Sequence, residues 1–307
     1  MQSLRTSVSC SIFFGVVLVP AVRFPIRFVI MKTQAQKGTD FRKLHEQETA
    51  FIIPNPWDIG TARLLAHIGF QALATTSAGY AFSVGKRDGE IGRDEMIKHV
   101  AEIAAATDLP VSADLENGFG DDPESAAEAI RLAAAAGCVG GSIEDVSSRK
   151  GEVVVYELEH AADRVRAAVE AARSLDFTFT LAARAENFIV GRPDLQDTIK
   201  RLQAFQDAGA DVLFAPGLTS LEDIETVVRS IDRPLNVIMG LQGVQLTLDD
   251  LSSIGVRRIS VGSALSRAAL GAFLRAASEM REHGTFRFAA EAVPYREVSE
   301  MFSEATA

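Results

Sequence analysis

The sequence predicts a (β/α)8 TIM barrel, on three observations. Eight short apolar segments rich in β-branched residues recur along the 307 residues, each followed by a polar or glycine turn and a stretch of helical period. Glycine stands after the last helical turn at Ala136-Gly137-Cys138, Ala208-Gly209-Ala210 and Ile254-Gly255-Val256, and a strand begins soon after each. No G-x-G-x-x-G follows the first strand, where the chain reads Asn55-Pro56-Trp57-Asp58. That omission argues against a doubly wound open sheet, whereas eight strands over roughly 250 residues match a closed parallel barrel.

In chain order, the strands are expected at 51–54, 71–76, 110–114 and 139–144, then at 177–183, 211–215, 234–239 and 257–262. Ala-rich amphipathic helices are expected between them, among them 123–136, 159–174 and 195–208. Residues 284–307 read as a tail with helical character. Residues 1–30 differ from this body: they hold Arg5, Arg23 and Arg27 but no acid, and the apolar run 12–20 is too short and interrupted to span a bilayer. They read either as a secretory signal or as an extension upstream of a start at Met31. The lack of a small-x-small cleavage site favours the second. The expected organisation is a leader, 1–30, and one barrel domain, 31–307.

The whole chain carries a formal charge of −10, and the body alone a balance of −13. Nucleic-acid binding needs clustered Lys and Arg and is not expected; nor is a membrane. Cys10 lies in the leader, so the body keeps a single cysteine, Cys138. That suits a reducing, cytoplasmic setting and excludes a disulfide scaffold. Cys138 and the five histidines, His45, His67, His99, His160 and His283, lack ligand spacing and read as structural or surface residues. No nucleophile elbow G-x-S-x-G is present.

In a parallel barrel the active site forms where strands end. The third strand ends in Asp114-Leu115-Glu116, whose two acids fall on one side of an extended backbone. The fourth ends in Glu144-Asp145, the fifth in Arg184-Ala185-Glu186, and Asp88 closes a glycine-bearing loop after the second. Converging carboxylates resist joint ionisation unless a cation joins them. All-oxygen donors favour Mg2+, with Mn2+ the other candidate, over zinc. Arg184 has the geometry to hold a carboxylate or phosphonate bidentately.

These motifs resemble the isocitrate lyase/phosphoenolpyruvate mutase superfamily over nearly all of residues 41–282. Ser77-Ala78-Gly79 followed by Gly85-x-x-Asp88 is similar to its Ser/Gly-rich loop and loop aspartate. Asp114-x-Glu116-x-Gly118-Phe119-Gly120 is similar to its D-x-D-x-G-Y/F-G run, Glu144-Asp145 to its E-D, and Arg184-x-Glu186 to its R-x-E. Asn236 resembles an asparagine of the lyase branch. The resemblance implies Mg2+-dependent making or breaking of a bond to C3 of a pyruvate-like unit through an enolate.

On that resemblance Asp114 is the direct metal ligand, with Asp88, Glu116 and Glu144 acting directly or through water. The amides of Ser77, Ala78 and Gly79 face the substrate, Arg184 and Asn236 grip its distal carboxylate, and Arg184, Glu116 and Asp88 are the catalytic candidates. It also implies a homo-oligomer, dimer or tetramer, with the C-terminal helix exchanged between subunits. Two departures shape the reaction. One D-x-D aspartate is Glu116, and the lyases' K-K-C-G-H loop is replaced at 146–152 by a stretch without Cys or His. Tyr156, Arg149 and Lys150 are candidate substitutes as acid or anchor. Without the loop cysteine, decarboxylation of an oxaloacetate-like acid fits best, since solvent can protonate the enolate. Phosphorus–carbon chemistry on phosphonopyruvate or carboxyphosphonoenolpyruvate is the second reading, and a non-catalytic metal–carboxylate binder the third.

Overall fold

A computed structural model describes residues 32–147 and 153–303. Residues 1–31, on which the expected leader falls, and the loop residues Arg149 and Lys150 lie outside them. The eight expected strands all form: β1 (Phe51–Ile53), β2 (Leu73–Ala74), β3 (Val111–Asp114), β4 (Gly140–Glu144), β7 (Thr180–Arg184), β8 (Val212–Phe214), β9 (Leu235–Ile238) and β10 (Arg258–Ser260). Two further short strands, β5 (Val146–Ser147) and β6 (Val154–Val155), pair antiparallel beyond the end of β4. The sheet order is β1-β10-β9-β8-β7-β4-β3-β2, with every pairing parallel.

The ring closes between β1 and β2 without a ladder. The Ala74 N–H donates to the Pro54 carbonyl at 3.1 Å. Asn55 then bridges the seam: its Nδ2 donates to the Thr75 carbonyl at 2.9 Å, and its Oδ1 accepts from the Val261 and Gly262 amides, both at 2.9 Å. The Asn-Pro that replaces a nucleotide-binding glycine motif is therefore the clasp of the barrel.

Helix starts and stops follow local chemistry. Asp58 and Thr61 form a reciprocal capping box, and Asp122 caps the helix Pro123–Ala135, whose first residue is proline. Gly209 ends the helix Leu195–Asp207 at φ +102°, and a Cβ there would meet Val169 at 3.0 Å, so both backbone and space call for glycine. A helix the periodicity did not announce, Gln34–His45, plugs the amino-terminal end of the barrel. Its Phe41 is wholly buried among Leu44, Phe51, Ile53, Ala72 and Val139. Gly140 leaves room for that ring, since a Cβ would lie 2.7 Å from Phe41 Cε1.

The helix Ala264–His283 buries only Ser266 and exposes Phe273 and Leu274 by 66% and 60%. Such an apolar face on a folded chain marks an unpartnered surface. Among the described residues no helix is long and apolar enough to cross a membrane.

Candidate active site

The parallel register aligns Glu144 with Arg184 and Asp114 with Ser142, so the last residues of β3, β4 and β7 share one inward face. Arg184 is their hub. Its Nη1 donates to Asp114 Oδ1 at 3.0 Å, its Nε to Glu186 Oε1 at 2.7 Å, and its Nη2 lies 3.4 Å from Glu144 Oε2. The guanidinium also stacks over Phe214 at 5.1 Å. Burial alone would weaken its hold on the proton, but Glu186, Glu144 and Asp114 outweigh that, and Arg184 stays charged.

Around this hub the carboxylates are crowded. The Ser77 N–H donates to Asp114 Oδ2 at 3.0 Å, and the Asp114 N–H to Thr75 Oγ1 at 2.8 Å. The Ser77 hydroxyl donates to Asp88 Oδ1 at 3.2 Å. Burial first, and Asp114 second, raise the Asp88 carboxyl above its ordinary range, against the Ser77 bond. Burial, Asp114 and Asp88 push Glu116 up to about 8. Burial raises Glu144 well above the usual carboxylate range; Arg184 opposes it, while Glu186, Asp114 and Glu116 add to it. The Oε1 of Glu116 is buried with no hydrogen-bond partner among the described residues.

Glu116 reaches this cluster by a route other than the strand alternation expected for it. Strand β3 stops at Asp114, and Glu116 adopts the left-handed region at φ +50°. A cavity of about 210 Å3 is lined by Ser77, Ala78, Asp88, Asp114 and Arg184, and one of about 340 Å3 above it by Asp88, Glu116, Glu144, Arg184 and Glu186. Ser77, Ala78, Asp88, Asp114, Glu116, Glu144 and Arg184 are thus brought together. Gly79 is not part of either lining: its N–H donates to Thr76 Oγ1 at 3.2 Å, and a Cβ would press Thr76 Cγ2 at 2.5 Å. Asn236 also lies off both linings. It is wholly buried on β9, its Nδ2 donating to Ser260 Oγ at 3.2 Å, and Ile238, two residues on, reaches the cavity in its place.

The Glu144-Asp145 pair divides its labour by strand parity. Glu144 faces the hub, while Asp145 points away, pairs with Arg201 Nη1 at 3.0 Å and accepts the Glu186 N–H at 2.8 Å. Burial pushes Asp145 up to about 6. Tyr156 donates to Asp121 Oδ1 at 2.8 Å and accepts from Asn117 Nδ2 at 3.0 Å, which ties it to the loop after β3. His45 and His99 are buried and held neutral, pushed down to about 3 and about 4 by desolvation.

Sequence reading missed three contributors. Glu186 was quoted in a motif but given no task, although an acid two residues beyond Arg184 shares its face. Thr75 fixes the Asp114 backbone. Arg258, on β10, lines the 210 Å3 cavity and was hidden beside Arg257 in an Arg-Arg pair.

Among the described residues no three Asp, Glu, His or Cys side chains form a ready metal cage. Mg2+ does not require one, since it keeps several waters and takes one or two carboxylates. The orphaned Glu116 oxygen and the carboxyls of Asp88, Glu116 and Glu144, all raised above their ordinary range by burial, form an all-oxygen set that fits a divalent cation.

Residues 41–281 match the family model described as phosphoenolpyruvate phosphomutase. The chain is 31% identical to an uncharacterized protein of Mycobacterium tuberculosis, covering 84% of this chain and 94% of the relative. It is 26% identical to 2-methylisocitrate lyase of Aeropyrum pernix, covering 84% of each. A crystal structure from Burkholderia cenocepacia J2315, provisionally named a lyase/mutase, superposes with a TM-score of 0.86 at 60% identity, over 88% of this chain and 97% of the other.

Proposed function

The chain belongs to the phosphoenolpyruvate phosphomutase family, within the isocitrate lyase/phosphoenolpyruvate mutase superfamily of lyases and mutases, and from that membership we propose that it is a Mg2+-dependent carbon–carbon lyase or decarboxylase. Its substrate is a small 2-hydroxy or 2-oxo dicarboxylate, processed through a pyruvate-type enolate. The observation that carries this reading is the cluster of Asp88, Asp114, Glu116 and Glu144 about Arg184, bordering cavities of about 210 and about 340 Å3.

Asp114 is the best direct ligand, because Ser77 and Arg184 fix one bond to each of its oxygens and hold the carboxylate in place. Asp88, Glu116 and Glu144 complete the set directly or through water. The cation, Mg2+ or Mn2+, supplies Lewis acidity toward the 2-oxo and carboxylate oxygens of the substrate. Glu116, with its carboxyl near 8, exchanges a proton with its surroundings at neutral pH. Arg184 keeps Asp114, Glu144 and Glu186 oriented as charge develops.

Purified protein given a panel of 2-hydroxy and 2-oxo diacids, with Mg2+ and with EDTA, is expected to release pyruvate or a pyruvate homologue from at least one of them only with metal. Metal-independent or absent turnover across the panel would overturn the assignment. The family match itself supports a second reading, phosphorus–carbon chemistry, which a 31P shift on phosphonopyruvate would reveal. The exposed face of Ala264–His283 supports assembly into a homo-oligomer, and the buried thiol Cys138 a cytoplasmic setting.

A further inference from the structure

Arg258 is buried to within 3% of full enclosure, and no carboxylate among the described residues pairs with it. Among the described residues its Nε and Nη1 have no hydrogen-bond partner, and its neighbours include the Phe41 ring at 5.8 Å, the neutral His45 and a second cation, Arg184. Burial, and then Arg184, lower its pKa to about 10, so the side chain remains charged at neutral pH. An isolated buried charge is costly unless something pairs with it.

The surroundings are equally unfilled. Arg258 is the register partner of Asn236 on β9 and Phe51 on β1. The Asn236 Oδ1 and the Ser112 Oγ are buried without partners, and Ser112, Ser142 and Ser260 line the same cavity as Arg258. Barrel interiors are ordinarily filled by Val, Ile and Leu; here the floor under Asp114 is polar. Arg184, meanwhile, already holds three carboxylates, so the role expected of it, gripping the far carboxylate of a substrate, falls to a group still able to accept one.

We propose that Arg258 binds the second carboxylate of a small diacid lying along this cavity, with the diacid's first carboxylate at the Asp114 end. Arg258 is thereby a specificity-determining residue that selects diacids over shorter or singly charged acids. The inference rests on the reading of the site as a diacid lyase, but adds to it the residue that reads the distal end.

The test compares three Mg2+-supported ligands by calorimetry on the full chain: oxalate, the shortest diacid, malate, which is two carbons longer, and phosphonopyruvate. Arg258→Met keeps an unbranched stem, shorter than arginine by the end of the guanidinium, and removes its charge. Malate affinity is expected to fall at least about tenfold, the scale of a lost charge-assisted pair, with oxalate affinity unchanged and the ligand-free Tm unchanged or raised. Arg258→Lys, which keeps the charge, is expected to retain part of the malate affinity and provides the readout should the Met variant fail to fold. Equal losses for oxalate and malate, or no loss for either, would overturn the assignment to Arg258 while leaving the lyase reading in place. A loss confined to phosphonopyruvate would overturn the carboxylate assignment in favour of a phosphonate. If the wild type bound neither oxalate nor malate with Mg2+, the lyase reading and this inference would fall together.

Discussion

Glu116→Gln isolates the electrostatic strain of the site. In the wild type, burial together with Asp114 and Asp88 holds the Glu116 carboxyl at about 8 against an ordinary 4.5. A carboxyl whose folded pKa is raised binds more protons folded than unfolded between those values. Stability is therefore complete below pH 4.5 and declines as pH rises through about 8. The slope is about 1.4 kcal/mol per pH unit, a total approaching 5 kcal/mol as an upper bound. Neighbouring carboxyls that protonate in its place reduce the loss, so about 2 kcal/mol is a working figure, or roughly 3 °C in Tm for a chain of this size.

The assay is the thermal midpoint in EDTA from pH 5.5 to 9, repeated with saturating Mg2+. The wild type in EDTA is expected to lose about 3 °C or more beyond the Gln variant over this range. Mg2+ is expected to abolish most of that loss in the wild type, because the cation stabilises the ionised set. The variant gains little from either change. Parallel pH curves for the two proteins in EDTA would refute the claim that the carboxylates strain one another. A Mg2+ effect of equal size in both would refute Glu116 as part of the metal set.

Asp114→Asn keeps the side-chain size but removes the charge and turns one of the two oxygens that accept from Ser77 and Arg184 into a donor, so Mg2+ affinity measured by calorimetry is expected to fall at least about a hundredfold and Tm to fall by a few degrees. Arg184→Met leaves Asp114, Glu144 and Glu186 without their common cation; the expected cost is about 3–5 kcal/mol by denaturant unfolding at pH 8 and clearly less at pH 5.5, because burial raises Glu144 well above the usual carboxylate range. Gly118→Ala should cost about 1–3 kcal/mol, since Gly118 sits at φ +81° and a Cβ would lie 2.8 Å from Ala126 Cα. Phe273→Glu, on the exposed helix face, is expected to shift the chain to a smaller species in light scattering without changing the far-UV spectrum.

The barrel was legible because its strands and helix stops are written in local pattern: β-branched runs, caps such as Asp122-Pro123, and glycines after helices. What closes it was not. The plug helix Gln34–His45 carries only Phe41, Leu44 and His45 as large buried side chains, too few to set a period, and its role depends on the hole left by Gly140, a hundred residues away. The site shows the same division. Asp114, Glu144 and Arg184 could be found because they end strands, but strand ends are uncertain by a residue or two, and one step of two residues separates Asn236, buried at the floor, from Ile238 at the cavity. Parity is harder still in Arg257-Arg258. One arginine reaches out to the Glu48 carbonyl at 2.8 Å and the other turns into the barrel, and nothing in the dipeptide says which.

The charges within the barrel mouth support the same functional conclusion by another route. Arg184 contacts Asp114, Glu144 and Glu186, while Asp88 and Glu116 crowd the same space, Asp88 assisted by Ser77 and the Gly89 backbone. One guanidinium cannot neutralise five carboxylates, so the ligand-free site holds protons on some of them, which is what the raised Asp88, Glu116 and Glu144 express. A divalent cation entering such a site displaces protons as it binds, and its affinity must rise with pH until Glu116 is ionised. Proton release on Mg2+ binding, measured as a buffer-dependent heat at pH 7, is therefore expected at about one proton per cation. A buffer-independent heat would mean that the carboxylates were already ionised and that Arg184 alone had balanced them.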